Sequence, residues 1–354
     1  MKTFACRAAY GAGGLGRHLA ELVEHARGRG ELAAYYTTQP RADDPAGRRV
    51  HEPLAPLLGR WTPIRFNPGL SANLGFDLFD RAVARIIDPD DVHVGFSLQS
   101  LRTFRAARAR GGRELQLISP TCHIDYVRER YEDAYQRHPI ERPWLNEAQC
   151  RQAKLEYELA DAIIVASDYV RDSFLAAGFP EKKLARFDVS APPRFVPARR
   201  PDDGIFRIVY VGSLSVAKGT PLLVEAFSRF AVPEAELWLV GGWGTRRMRR
   251  WLEARCAADP RIHIAPGDPL PYVQRADLYV HPSYQDGSPY APLEALACGV
   301  PVVVTTETGT KELIEGDVDG CVIDAGRVEA VGSALEHFYG IRQGCTALQE
   351  GASP

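Results

Sequence analysis

Short apolar runs of strand length alternate with longer stretches of helical periodicity along this chain, and the pattern is completed twice. In the first half "TFACRAAY", a glycine loop, "GRHLAELVEHARGRG" and "ELAAYYTT" precede "DVHVGFS", "LRTFRAARARG", "ELQLIS", the polar helical stretch "WLNEAQCRQAKLEYELA", "DAIIVAS" and "YVRDSFLAAG". The second half repeats the theme with "FRIVYVGS", "TPLLVEAFSRFA", "AELWLVGG", "RRMRRWLEARCA", "RIHIAP", "LPYVQRA", "LYVHPS", "APLEALACG" and "VPVVVT". Strands alternating with helices bury their apolar faces by pairing in parallel, with helices on both sides of the sheet. Between the halves lies "SAPPRFVPARRPDDG", where prolines and charges displace the apolar periodicity, as in an interdomain linker. The predicted fold class is therefore α/β with two Rossmann-like domains, over 1–190 and 205–340, joined by a linker at 191–204. The C-terminal "RQGCTALQEGASP" has too little apolar content to predict order, so 341–354 is read as a tail.

The chain has 354 residues, of which 45% are hydrophobic and 25% charged, enough for two cores and more than one core usually serves. A formal net charge of -2 calls for neither nucleic acid nor an anionic membrane as partner. No stretch has the apolar length of a transmembrane helix, and "MKTFACRAAYGAGG" lacks a leader pattern, so the expectation is a cytoplasmic protein, with peripheral membrane contact left open. Seven cysteines stand singly, without a CxxC pair, which argues for reduced thiols and against zinc. The arginine-rich stretches 102–113 and 246–256 read as amphipathic helices on an ordinary surface. An arginine-heavy composition fits a GC-rich, bacterial genome.

Three loops carry candidate chemistry. "YGAGGLGRHL" places Gly11, Gly13 and Gly16 in dinucleotide-fingerprint spacing between a strand and a helix. A nicotinamide site also needs an acid at the end of the next strand, and "ELAAYYTTQP" offers Thr37 and Thr38. What survives is a loop whose amides can approach a sugar or phosphate, or a tight turn and nothing more. In "YVGSLSVAKGTPLLVEAF" a strand ends at Gly212 and a loop carries Lys218 to a helix start near Thr220 or Pro221. Lys218 is either a solvated loop residue or one arm of an anion clamp, for which a diphosphate is the natural ligand. The third loop, "HPSYQDGSPYAPLEALACGVPVVVT", turns at 284–289 into a helix, so that the amides of Tyr290 and Ala291 lie at a helix N-terminus suited to negative charge. Asp286 before the turn and Glu294 in the helix can aim carboxylates at one place and accept hydrogen bonds from sugar or ribose hydroxyls. Acids near helix starts also serve the dipole alone.

"GSLSVAKG", "PSYQDGSPYAPLEALACGVPVVVT" and "GTKELI" together resemble the C-terminal domain of the retaining glycosyltransferases of the GT-B fold, family 4. "GGLGRHL", "SPTCHID" and "ELADAIIVASDYVRDSF" match the family's acceptor-side pattern in order, so the resemblance covers nearly the whole chain. It implies two Rossmann-like domains facing each other across a cleft in which the substrates meet. It further implies that Glu294 holds ribose hydroxyls, Asp286 contacts the donor sugar, Lys218 neutralises the diphosphate, and Gly13 and Gly14 let backbone approach it. The loops at Gly212 and Ser213 and at Gly287 and Ser288 would complete the donor site, and His123 would contact the sugar or the acceptor. A single histidine after a strand is otherwise more often structural.

The implied activity is transfer of a hexose-type unit from a UDP- or GDP-linked sugar to a hydroxyl of a small-molecule, glycan or lipid-linked acceptor. No cofactor is implied. Fixed donors aimed at the departing phosphate supply the charge stabilisation, so metal independence is expected. Three departures stand out. Ser213 occupies the usual place of an arginine, Asp286 replaces the common glutamate, and the chain stops soon after "ALEHFYG". The rivals are a dehydrogenase using the first glycine loop and a degenerate nucleotide-sugar binder, the latter motivated by Ser213.

Overall fold

The computed structural model describes residues 1–51, 68–316 and 318–350, apart from the side chains of Pro68 and 345–350. Contacts divide the chain into two compact units, one formed by Met1–Arg128 and Pro143–Val189, the other by Glu129–Arg142 and the chain from Ser190 onward.

Through the first unit the described strands and helices run β1 (Lys2–Ala9), α1 (Gly13–Gly28), β2 (Leu32–Gln39), β3 (Gly47–Arg49), α2 (Pro68–Ile86), β4 (Val92–Phe96), α3 (Leu101–Ala109), β5 (Leu115–Ser119), α4 (Ile124–Arg137, which passes into the second unit at Glu129), α5 (Glu147–Leu159), β6 (Ala162–Val165), α6 (Asp168–Ala176) and β7 (Leu184–Arg186). The strands pair in parallel in the order β3-β2-β1-β4-β5-β6-β7. Helix α1 buries Leu19, Leu22, Val23 and Ala26, a spacing of three and four that presents one apolar stripe to the sheet. A Cβ on Gly16 would stand 2.0 Å from the Ala9 carbonyl oxygen, so that glycine sets how closely α1 lies on β1. Asn146 and Gln149 close a reciprocal capping box at the start of α5, and the Ser167 hydroxyl accepts from the Val170 amide at the start of α6.

The start of α3 is capped from a distance. Ser100, its N-cap residue, donates its hydroxyl to the Phe96 carbonyl and leaves the helix amides to other groups. Buried Glu156 accepts from the amides of Leu98, Ser100 and Leu101, and buried Asp80 accepts from those of Arg102 and Thr103. Two acidic side chains thus satisfy the donors that a helix start leaves open, and burial pushes the Glu156 carboxyl up to about 8 in spite of them.

The second unit contains β8 (Phe206–Val211), α7 (Thr220–Arg229), β9 (Ala235–Val240), α8 (Arg246–Ala258), β10 (Ile262–Ala265), α9 (Leu270–Val273), β11 (Leu278–His281), α10 (Tyr290–Ala297), β12 (Val302–Thr305), β13 (Gly320–Ile323) and α11 (Val328–Glu350). Its strands are again all parallel, ordered β10-β9-β8-β11-β12-β13. The strands "FRIVYV", "LYVH" and "VVVT" are buried nearly throughout, as strands of a sheet covered on both faces must be. One core layer gathers Val209, Val240, Ala265, Tyr279, Ala295 and Val302.

Three expectations about boundaries change. Residues 129–142 cluster with the second unit, because Glu141 accepts there from the Val216 amide at 2.8 Å and the Thr245 hydroxyl at 2.7 Å. The proline-rich segment is strapped to that unit by the buried Phe195 ring, by paired hydrogen bonds from Arg194 to Asp268, and by Val196 accepting from Gln274. The expected tail from 341 is instead the continuation of α11, on which Arg342 reaches Asp277 at 3.0 Å; residues 351–354 lie outside the described residues.

Candidate active site

Both units share one strand order, in which the direction of winding reverses between the first strand and its neighbour, β1 beside β4 and β8 beside β11. Open parallel sheets of this kind bind ligands beyond the carboxyl ends of the strands at that reversal. In the second unit those ends carry the Lys218 loop, which follows β8, and the Asp286 turn, which follows β11. The topology therefore brings together two segments that lie far apart in sequence.

The loop after β8 is held at nearly every residue. Gly212 has φ +150 and Gly241 φ +152, and a Cβ on Gly241 would stand 1.9 Å from the Gly212 carbonyl oxygen. The Leu214 amide bonds to Gly242, the Ser215 amide to the Thr220 hydroxyl, and the Val216 amide to buried Glu141. Gly219, with φ +69, is the left-handed N-cap of α7, and a Cβ there would fall 1.9 Å from the Pro282 carbonyl oxygen. Only glycine fits that position. Ser213 is exposed, and its carbonyl accepts from the Tyr210 hydroxyl at 2.9 Å.

Lys218 Nζ lies 2.6 Å from Asp286 Oδ2, and His281 Nε2 lies 3.0 Å from the same oxygen. Asp286 is fixed through its backbone as well, its amide donating to Glu307 and its carbonyl accepting from the Gly309 amide. Burial pushes the Asp286 carboxyl up, but the Lys218 ammonium and the His281 N–H more than offset this and hold it well below the usual carboxylate range. Burial pushes His281 down against the pull of Asp286, so the ring is neutral and its Nε2–H donates to the carboxylate. The imidazole lies nearly parallel to the rings of Tyr210 and Tyr279, at 6.0 Å and 6.3 Å between centroids. The Tyr279 hydroxyl is 3.4 Å from His281 Nδ1 and 3.1 Å from the Val211 carbonyl oxygen, to which it donates.

Beyond Asp286 the chain passes buried Gly287 and half-buried Ser288 into α10, whose N-cap Pro289 contributes no side-chain cap. The first turn holds Tyr290 and Ala291 and no acidic residue. Glu294, 1% exposed, lies inside α10. Lys218, Asp286, Gly287, Ser288, Tyr290, Ala291 and Glu294 thus belong to two adjacent loops and one helix of a single unit.

Gly13, Gly14 and His123 belong to the first unit. Gly11 and Gly13 have φ +73 and +60, and among the described residues a Cβ on Gly13 or Gly14 would meet nothing within 4 Å, so those residues leave room for a ligand at the start of α1. Strand β2 extends to Gln39, past the expected Thr37 and Thr38. The buried Thr37 hydroxyl donates to the Ala8 carbonyl, and the last residues of the strand, Thr37, Thr38 and Gln39, include no acid to hold a ribose. His123 sits among the rings of Tyr157, Phe174 and Phe179, its centroid 5.3, 5.4 and 5.7 Å from theirs, and burial pushes its pKa down. A neutral ring in an aromatic box can hydrogen-bond a sugar hydroxyl without adding charge.

Sequence reasoning missed His281, Tyr210, Tyr279 and Glu141. The first could have been found, since a histidine in the otherwise apolar strand "LYVH" five residues before an acid needs a partner. Asp-x-Asp spacings of the kind that carry metal-bound diphosphates do occur, at 88–90 and 317–319. Asp88 accepts from the Asp90 amide in an exposed turn ahead of β4, at the opposite end of that strand from the loops just described, and Asp317 lies outside the described residues. Among the described residues no group of three or more His, Cys, Asp and Glu is arranged to hold a metal ion.

The profile of the "Glycosyltransferase Family 4" group matches residues 12–186, and that of "Glycosyl transferases group 1" matches residues 205–340. The D-inositol 3-phosphate glycosyltransferase of Paenarthrobacter aurescens is 28% identical over 151 residues, which make up 40% of this chain and 36% of that protein's length. Among solved structures, sucrose-phosphate synthase from Thermosynechococcus elongatus superposes with a TM-score of 0.67 at 17% identity, covering 96% of this chain and 90% of its own. Anabaena HepE in complex with UDP-glucose gives 0.66 at 17% identity, covering 97% and 90%. With both halves matched in order and the doubly wound sheet present twice, the chain belongs to the GT-B glycosyltransferases of family 4.

Proposed function

We propose that the protein is a retaining glycosyltransferase that moves a hexose-type sugar from a UDP-linked donor to a hydroxyl acceptor without a metal ion. The observation that carries this reading is the convergence, at the reversal point of the second sheet, of the Lys218 ammonium, the Asp286 carboxylate and the N-terminus of α10. A glycosyl diphosphate needs positive charge at the departing phosphate and acceptors at the sugar and ribose hydroxyls. Lys218 and the Tyr290 and Ala291 amides offer the first, and Asp286 and Glu294 the second. As the glycosidic bond breaks, negative charge grows on the leaving oxygen, where preorganised donors stabilise the transition state more than the ground state. UDP is favoured among the bases because HepE, which shares the fold, is described in complex with UDP-glucose.

Ser213 supplies no second cation, so this reading rests on Lys218 and the α10 amides; the loop that carries Lys218 is held by the Tyr210 hydroxyl on the Ser213 carbonyl and by Glu141 on the Val216 amide, not by the Ser213 side chain. A thermal-shift panel of UDP, GDP, ADP and NAD tests the reading, followed by mass spectrometry of products from UDP-sugars with candidate acceptors and a chelator control. Stabilisation by UDP and chelator-resistant glycosyl transfer are expected. Stabilisation by NAD alone, or by none of the four, would overturn the proposal.

A further inference from the structure

We infer that His281 is a positioning residue which keeps Asp286 hydrogen-bonded when Lys218 leaves it for the donor's diphosphate. This rests on the functional reading above and extends it to how the empty site is held. Lys218 and His281 converge on one oxygen of one carboxylate, at 2.6 Å and 3.0 Å. An ammonium so placed neutralises Asp286 and is itself neutralised, so before a diphosphate arrives the clamp is closed on an internal anion. A diphosphate carries more charge than a carboxylate and competes for the ammonium, which reaches it from the end of a flexible four-carbon stem.

Once Lys218 turns away, Asp286 stands in a largely buried position, its side chain 15% exposed. A carboxylate left there without a donor would bear the full cost of desolvation. His281 prevents this. Its ring is 3% exposed and flanked by Tyr210 and Tyr279, and it stems from strand β11, so unlike Lys218 it cannot swing away. Its Nε2–H remains on Asp286 Oδ2, and the carboxylate stays ionised and aimed for a sugar hydroxyl. The buried histidine in "LYVH", one of two donors to Asp286 Oδ2 while the ion pair is closed, thus becomes the one that remains when it opens.

Calorimetry with UDP on wild type, His281→Leu, His281→Gln, Asp286→Asn and the Asp286→Asn/His281→Leu double variant tests the relay, with melting curves confirming that each is folded. Leu removes the donor, whereas the Gln amide nitrogen can occupy the place of Nε2. His281→Leu is expected to bind UDP about tenfold more weakly, the lower end of the effect of an unsatisfied charged group, and His281→Gln to recover most of that loss. In the Asp286→Asn background the same His281→Leu change is expected to have little effect, because no carboxylate remains to be held. Unchanged UDP affinity in His281→Leu, no recovery in His281→Gln, or the same tenfold loss in the Asp286→Asn background overturns the inference while leaving the functional reading in place. Wild-type protein that binds none of UDP, GDP and ADP overturns both.

Discussion

Replacing Asp286 by asparagine should tighten UDP binding while lowering glycosyl transfer, an unusual outcome for removing an acid from a binding site. In the empty protein Lys218 Nζ is held 2.6 Å from Asp286 Oδ2, with 25% and 15% of the two side chains exposed. The pair therefore lies between an exposed ion pair, worth about 0–1 kcal/mol, and a buried one, whose breaking costs about 3–5 kcal/mol. Taking roughly 1–3 kcal/mol as the cost of drawing Lys218 away, and 1.4 kcal/mol per decade, removal of the acid should tighten UDP about five- to a hundredfold. Asparagine is close to isosteric, and its side-chain oxygen can still accept from His281, so the turn should survive. Turnover of a UDP-sugar should fall, because a neutral amide accepts more weakly from a sugar hydroxyl than a carboxylate does. Isothermal calorimetry with UDP, at low and at high salt, reads the first effect, and product formation by mass spectrometry the second. Weaker UDP binding in Asp286→Asn would refute the argument, since it would mean that the acid assists the nucleotide and does not compete with it.

Glu294→Ala should weaken UDP binding by about 1.5–3 kcal/mol, the loss of a charge-assisted acceptor for ribose hydroxyls; calorimetric affinity equal to wild type would remove that role. His123→Ala should reduce transfer with little change in UDP affinity, and intact turnover with a competent acceptor would show that the ring only packs against Tyr157, Phe174 and Phe179. Burial pushes the His18 imidazole down to about 4, below its unfolded value, so its contribution to stability is complete above pH 6.5 and is lost as the pH falls toward 4. Denaturant titrations at pH 7.5 and pH 5 should show His18→Phe sparing about 2 kcal/mol of the acid destabilisation seen in wild type; an equal loss in both proteins would contradict this.

The sequence made the alternation of strands and helices plain because the strands of a doubly covered sheet must be apolar almost throughout, as "FRIVYV" and "VVVT" are. It also made the loops plain, because Gly219 before Thr220 and Pro221, or Gly287 before Pro289, are residues whose backbone preferences are local. Less legible were features created only by folding. The edge strands β3 and β7 are three residues each and carry no period. Helix α4 contains no signal that its C-terminal part clusters with the second unit, and Glu141 looks like any surface acid until its two partners, 75 and 104 residues away, are in place. The extension of α11 to Glu350 was hidden by its low apolar content, which argued for disorder although nothing in "IRQGCTALQE" other than one glycine resists a helix. The pairing of Lys218 with Asp286 was equally hidden. Each could be read as a ligand group, but their sharing of one oxygen with a histidine depends on β8 and β11 being neighbours, which only the strand order reveals.

A crystal structure of the protein soaked with UDP tests the central claim most directly. The pyrophosphate is expected at the Lys218 loop and the first turn of α10, with Nζ moved off Asp286 Oδ2 and His281 still bonded to that oxygen. Nucleotide bound elsewhere, or bound there with the Lys218–Asp286 pair still closed, would contradict it.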